Sequence, residues 1–337
     1  MPPRLREHLD DLTALIGEAS EQLSLDQTFL EKDFWAMEVL RAVAPAQEFT
    51  GIDGTGALRV IFKGGTSLSR VYGLIERFSE DIDVLLVFPD ISMGAGRRDK
   101  ILKAKRDAAT AHLGLKQDRV VAKESTTGVK RNVRYLYPAR VAASGAAAQV
   151  ISEGVLLEMG SRGGTFPTQH HRIRSLIADF AVDRLGDTAD TWEEFERFTV
   201  EVLAPERTLF EKLAALHDGA CRAPEETALS ALQRNARHLY DIHCLLDDHH
   251  VVSELETLGP TGVAKLCADV DEHSQSAGFS YTPRPAAGFG ASPLTGHQHS
   301  GVDSLERGYR QAMQLVYGTR PTLHECLTTL RKCSRLL

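Results

Sequence analysis

The chain has 337 residues, 42% hydrophobic and 25% charged, which suits one large globular domain or two smaller ones. It contains no apolar run of about 18 residues, which excludes a helical membrane span, and no Gly-x-x-x-x-Gly-Lys-Ser/Thr sequence, which excludes a P-loop. The net charge is −7, yet residues 97–140 hold 13 Lys/Arg against four acids, a local +9 that leaves −16 for the remainder. Such a stretch attracts polyanions even on an acidic protein, although a solvated helix face has the same composition.

In chain order, the N-terminus passes from Arg4 to Asp10 and Asp11 without an apolar signal-peptide core. Residues 4–44 read as helical, with Leu12, Leu15, Ile16, Leu23, Phe34, Val39 and Leu40 in amphipathic rhythm. Gly51 to Gly56 is a turn-rich break. Leu58 to Phe62 reads as a strand, Ser67 to Ile75 as a short helix, and Ile82 to Val87 as a second strand. Between them lie Lys63-Gly64-Gly65-Thr66-Ser67 and, ten residues after Leu68, Ser79-Glu80-Asp81-Ile82-Asp83-Val84. Asp81 and Asp83, two apart on a strand, share a face. Two carboxylates so placed repel unless protons or a cation intervene, and hard oxygen donors suit Mg²⁺, with Mn²⁺ as a substitute. Glycines at 64 and 65 let backbone N–H groups approach a phosphate. A phosphate cradle beside a carboxylate pair points to nucleotide chemistry.

Residues 97–114 read as helical. Lys130-Arg131-Asn132-Val133-Arg134-Tyr135 suits phosphate contact with base stacking, and equally an edge strand blunted by charge. Arg134 to Pro138 and Val150 to Met159 read as strands. Glu158 is an acid within an apolar strand and needs a partner; it is the candidate third carboxylate, with Glu153 the poorer choice. Thr199 to Leu203 reads as a last strand, followed by helices at about 206–220, 227–248, 254–271, 304–317 and 321–335. Ser274 to Asp303 is a long Gly/Pro/Ser-rich loop of the kind that is often functional or mobile. The five cysteines show no paired metal spacing and fit reduced thiols in a cytoplasm.

The run Lys63 to Leu68 followed by Arg77-Phe78-Ser79-Glu80-Asp81-Ile82-Asp83 resembles the first motif of the AbiEii/AbiGii nucleotidyltransferase toxins, within the DNA polymerase β-like superfamily that also includes the MenT toxins. Glu31-Lys32-Asp33 is similar to an early segment of that family. Glu206 to Leu213 resembles its third motif, and Arg237-His238-Leu239-Tyr240-Asp241 its fourth. The resemblance implies an α+β fold: a polymerase β-like core of mixed sheet with flanking helices over 1–203, then a helical domain over 204–337 that contributes to the active-site cleft. It implies a toxin of a toxin–antitoxin pair that transfers a nucleotidyl group from an NTP to RNA, the tRNA 3′ end foremost, with a cognate antitoxin as partner. On this resemblance Asp81, Asp83 and Glu158 hold the metal, and Lys212 is a catalytic point charge for a phosphate. Lys63, Gly64, Gly65, Thr66, Ser67, Ser79, Arg237 and Asp241 bind the nucleotide, and Lys130, Arg131 and Arg134 contact RNA. A phosphate on Ser67, or on the equally reachable Thr66, would occupy the donors intended for the NTP. Transfer to a protein hydroxyl, or a non-catalytic binding module of the same fold, are the rival readings. The segments around Lys212 and Arg237 also suit ordinary helical ion pairs, Arg237 and Asp241 sharing a face at i, i+4, and such pairs contribute little when exposed.

Overall fold

The computed structural model describes residues 2–51, 54–79, 81–89, 93–142, 151–278, 281–296 and 300–337. Glu80, Ile52 and Asp53 of the turn-rich break, and Val150 at the head of an expected strand, lie outside the described residues. The fold is mixed α/β, and no helix among the described residues is long and apolar enough to cross a membrane. The chain divides into two compact units, one formed by Met1–Val71, Phe78–Ser161 and Thr168–Val202, the other by Tyr72–Arg77, Arg162–Pro167 and Leu203–Leu337.

The first unit carries the sheet. Its strands are β1 (Gln47–Gly51), β2 (Gly54–Lys63), β3 (Asp81–Val87), β4 (Val120–Thr126), β5 (Lys130–Tyr135), β6 (Val155–Gly160), β7 (Thr168–Ile173) and β8 (Phe198–Leu203), ordered β4-β5-β6-β3-β2-β8-β7 with β1 paired to β2. β3 runs antiparallel to β2 and parallel to β6, so the sheet is mixed. β4 is an edge strand with a register shift between Ala122 and Ser125, and residues 122–126 are exposed. Four of the strands were anticipated; β1, β4 and β7 lack a strong apolar alternation, and β5 starts at Lys130, four residues before the expected Arg134.

Helices α1 (Leu9–Leu23) and α2 (Gln27–Val43) precede the sheet, α2 being capped by Asp26, whose carboxylate accepts from the Thr28 N–H at 2.7 Å. The charges at the start of α2 point inward. Lys32 donates to the Ser152 carbonyl at 2.7 Å, Glu31 accepts from the Arg140 N–H at 2.7 Å, and Asp33 accepts from the Leu176 N–H at 2.6 Å. These buried groups join α2 to three distant segments. The unit is completed by α3 (Gly64–Arg70), α4 (Ala95–His112) and α5 (Leu176–Phe180).

The second unit is helical: α6 (Pro205–Arg222), α7 (Glu226–Asn235), α8 (Arg237–Asp247), α9 (His249–Ala277), α10 (Val302–Ala312) and α11 (Leu323–Lys332). Pro205 begins α6, where its missing N–H costs nothing. The single helix expected over 227–248 is broken at Ala236, and α9 kinks at Gly259–Pro260, where Gly259 has φ 60°. α11 opens with a Thr322–Glu325 capping box. Part of the long loop is docked: Phe289 packs against Phe210 and His217, and His217 Nδ1 lies 2.8 Å from the Ser292 hydroxyl.

Candidate active site

Four strands and one turn build a polar row on the sheet. β2 ends at Lys63, opposite Asp83 on β3. Asp83 pairs with Glu158 on β6, and Glu158 with Asn132 on β5. Residues directly opposite across a ladder project from the same face, so Lys63, Asp83, Glu158 and Asn132 form one line. Asp81 lies one step along β3 on that face, while Ile82, Leu157 and Met159 turn the other way into the core. Glu153, the alternative acid, lies before β6 and is exposed.

The chain can turn from β2 into α3 because residue 64 is glycine. Its φ is 84°, and a Cβ there would lie 2.4 Å from Asp83 Oδ2. Conformation and space therefore both demand glycine. α3 starts at Gly64, three residues earlier than expected, and ends at Arg70, where the guanidinium meets Asp33 at 2.6 Å. Thr66 donates its hydroxyl to the Asp81 carbonyl at 2.6 Å, and Ser67 donates to the Gly64 carbonyl at 2.9 Å. The Thr66 hydroxyl thus fastens the turn to β3, while that of Ser67, 0% exposed, closes the first turn of α3 on itself. Ser79 is half-buried just before β3.

Electrostatically the row is short of positive charge. Burial first, then the negative charges and hydrogen bonding of Asp83 and the charge of Asp81, push the Glu158 carboxyl up to about 7. Protonation of Glu158 would lessen this repulsion, and a cation between the carboxylates would do the same. Among the described residues no three His, Cys, Asp or Glu side chains are gathered as a metal cluster. Mg²⁺ does not require one, since it usually takes one or two carboxylates and fills its shell with water and phosphate. The donor chemistry of Asp81, Asp83 and Glu158 fits such an ion.

Lys212 and Asp241 come together in the second unit, at 2.8 Å, around a residue that sequence reasoning had not assigned. Arg77 grips Asp241 with two hydrogen bonds, Nε to Oδ1 at 2.6 Å and Nη2 to Oδ2 at 2.7 Å. Asp241 is 0% and Lys212 6% exposed, so in place of an exposed pair within one helix the two residues form a buried pair between helices. Burial opposes ionisation of Asp241, but Arg77 and then Lys212 outweigh it and hold the carboxyl far below its usual range. His238 is neutral, its pKa lowered by burial and by Lys212, and its Nδ1 is shielded with no hydrogen-bond partner among the described residues. Arg237 is exposed, and the acid four residues on is taken by Arg77 and Lys212. Arg77 could have been suspected only from its place at the head of the Arg77–Asp83 run.

Residues 52–301 match the profile of the family described as nucleotidyl transferase AbiEii toxin, type IV TA system. The chain belongs to the AbiEii family. It is accordingly a nucleotidyltransferase of the toxin–antitoxin class. A solved structure, MenT4, a nucleotidyltransferase toxin from Mycobacterium tuberculosis H37Rv, is similar to it at 14% identity over 96% of this chain and 95% of that one, with a TM-score of 0.46. No curated protein sequence matches.

In this AbiEii protein the candidate RNA contacts are largely engaged within the first unit. Lys130 pairs with Glu124, Arg131 with Asp99 at 2.9 Å, and Arg134 donates to the Glu153 carbonyl at 2.7 Å. Lys103 also meets Asp99, and Lys105 is buried, donating to the carbonyls of Val43 and Pro45. The stretch therefore presents less free charge than its composition suggests, with Lys100, Lys116, Arg119 and Lys123 among its exposed members.

Proposed function

We propose that this AbiEii-family protein transfers a nucleotidyl group from an NTP to an RNA acceptor, the tRNA 3′ end foremost, and so blocks growth until its antitoxin intervenes. The observation that carries the reading is the alignment of Asp83 with Glu158 across β3 and β6, beside Asp81 and against the Gly64 turn. Asp81, Asp83 and Glu158 would hold Mg²⁺, which when bound neutralises phosphate charge and favours in-line attack.

The remaining work falls to the chain. Gly64 and Gly65 bring the backbone N–H groups of the first turn of α3 to the phosphates. The Thr66 and Ser67 hydroxyls contribute indirectly, Thr66 by fastening that turn to β3 and Ser67 by closing the turn through the Gly64 carbonyl. Lys63, opposite Asp83, supplies a positive charge at the end of the row. Ser79 leads into the strand that carries both aspartates. Lys212, Arg237 and Asp241 serve the nucleotide in this reading, with Asp241 fixing where the Lys212 ammonium stands. Lys130, Arg131 and Arg134 would exchange their internal partners for RNA phosphates. Acceleration then comes mostly from positioning and fixed charge.

The internal pairing of those three cations favours one alternative, a protein hydroxyl as acceptor. Incubation with each α-labelled NTP, Mg²⁺ and total tRNA, followed by separation of RNA from protein, decides between them. Label on RNA, lost with Asp83→Asn, is the expected result. Label on protein selects the alternative, and no transfer with any NTP refutes both.

A further inference from the structure

The polar row contains one side chain with no role so far. Asn132 lies on β5 directly opposite Glu158 and donates from Nδ2 to Glu158 Oε1 at 2.6 Å. It is 5% exposed, and its Oδ1 is shielded from solvent with no hydrogen-bond partner among the described residues. An asparagine retained to hold the fold would have both ends of its amide satisfied, because a buried unpaired acceptor is destabilising. Among the described residues, the only hydrogen bond that orients the amide is the one with Glu158. When Glu158 is ionised it can only accept, so the NH₂ end alone can serve it.

We infer that Asn132 is a positioning residue for Glu158. By occupying Oε1 it fixes the rotation of the carboxylate, so that the second oxygen is the one presented to Asp83 along the row. A glutamate on a strand has three rotatable bonds, and its two neighbours with carboxylates, Asp81 and Asp83, repel its charged form. Without the amide the charged side chain would swing away from them toward solvent. The amide donor opposes that movement from the far side of Glu158, on a strand whose own position is set by six consecutive register pairs with β6. Partners of this kind, which orient a ligand without touching the reacting atoms, commonly change metal affinity or activity 10–100-fold when removed, an order-of-magnitude expectation of about that size here.

This inference rests on reading the carboxylate row as the transfer site. Its test uses the full chain with Asn132→Leu, which keeps the volume and removes both ends of the amide, and Asn132→Gln, which returns the donor on a longer arm. Asn132→Ala replaces the leucine variant if that protein is not folded by circular dichroism. Two readouts are taken: Mn²⁺ binding to NTP-free protein by electron paramagnetic resonance, and steady-state nucleotide transfer. The expected result for Asn132→Leu is roughly 10–100-fold weaker Mn²⁺ binding and a similar fall in kcat. The KM for NTP should stay within about threefold, and the glutamine variant should recover part of both losses. Wild-type Mn²⁺ affinity and kcat in folded Asn132→Leu would overturn the inference. So would a loss that appears only in KM, or one that glutamine does not relieve. Asp83→Asn, measured alongside, separates the two levels. If it transfers normally, the carboxylate row is not the site. If it is inactive while the Asn132 variants are normal, only the positioning role fails.

Discussion

The protein places acidic side chains in two contrasting settings. In the first unit, Asp81, Asp83 and Glu158 share one face of the sheet, half-buried, and burial with their mutual repulsion pushes the Glu158 carboxyl up to about 7. In the second unit, one fully buried carboxylate, Asp241, is met by two cations, Arg77 and Lys212. The first cluster has an excess of negative charge and calls for a guest. The second is complete from the chain's own residues. Uncompensated charge thus makes the first cluster a candidate for binding an ion, whereas in the second the carboxylate holds its two cations in fixed positions.

The largest expected effect comes from breaking the complete cluster. Asp241→Ala leaves Arg77 and Lys212 buried without a counter-charge and should destabilise the fold by about 3–5 kcal/mol, measured by urea unfolding. A loss below about 1 kcal/mol, the size of a surface pair, would remove the contrast. Next comes the incomplete cluster. Asp83→Asn should lower nucleotide transfer by about 10²–10³-fold or more without lowering the melting temperature, since it removes a repulsive neighbour of Glu158. A melting temperature that falls with the activity would show that Asp83 supports the fold.

Lys212→Met should have a smaller effect on stability than Asp241→Ala, about 1.5–3 kcal/mol, because the two-pronged grip of Arg77 on Asp241 survives. Equal losses in the two variants would mean that the cations cannot act separately.

The smallest effect is also the most diagnostic, since the two clusters respond to acid with opposite signs. Asp241 has a depressed pKa in the folded state. Its stabilisation is present above the unfolded carboxylate pKa and is lost as pH falls toward the folded value, below about 4. Glu158 is raised to about 7, so the folded protein binds its proton first. In metal-free buffer its contribution should therefore make stability rise as pH falls from about 7 to about 4.5. Asp83→Asn should flatten that upper segment, and the acid limb below it should remain. Unfolding midpoints across this pH range supply the check, and an unchanged upper segment in Asp83→Asn would detach Glu158 from Asp83.

The carboxylate row was legible because its signals are local. The i, i+2 spacing of Asp81 and Asp83 fixes a common face, and an acid between Leu157 and Met159 stands out in an apolar strand. The second cluster was only half visible. Lys212 and Asp241 stand on different helices, and Arg77 is separated from Asp241 by 164 positions, so no spacing rule connects them. Their burial could not be anticipated either, since Glu211-Lys212 has the composition of a solvated helix face. The same limit applies at Glu31-Lys32-Asp33, whose partners lie up to 143 positions away. β4 and β7 escaped because Lys123-Glu124-Ser125-Thr126 and Thr168-Gln169-His170-His171-Arg172 lack the apolar alternation that marks a strand.

The exposed edge strand β4 has a bearing on colloidal behaviour. An open sheet edge is a template on which another chain can add a strand. Here the irregular register between Ala122 and Ser125 and the charges of Lys123 and Glu124 interrupt that template. Replacing both charges with valine would leave a more regular and more apolar margin, and the price would be self-association at concentrations where the native protein stays dispersed.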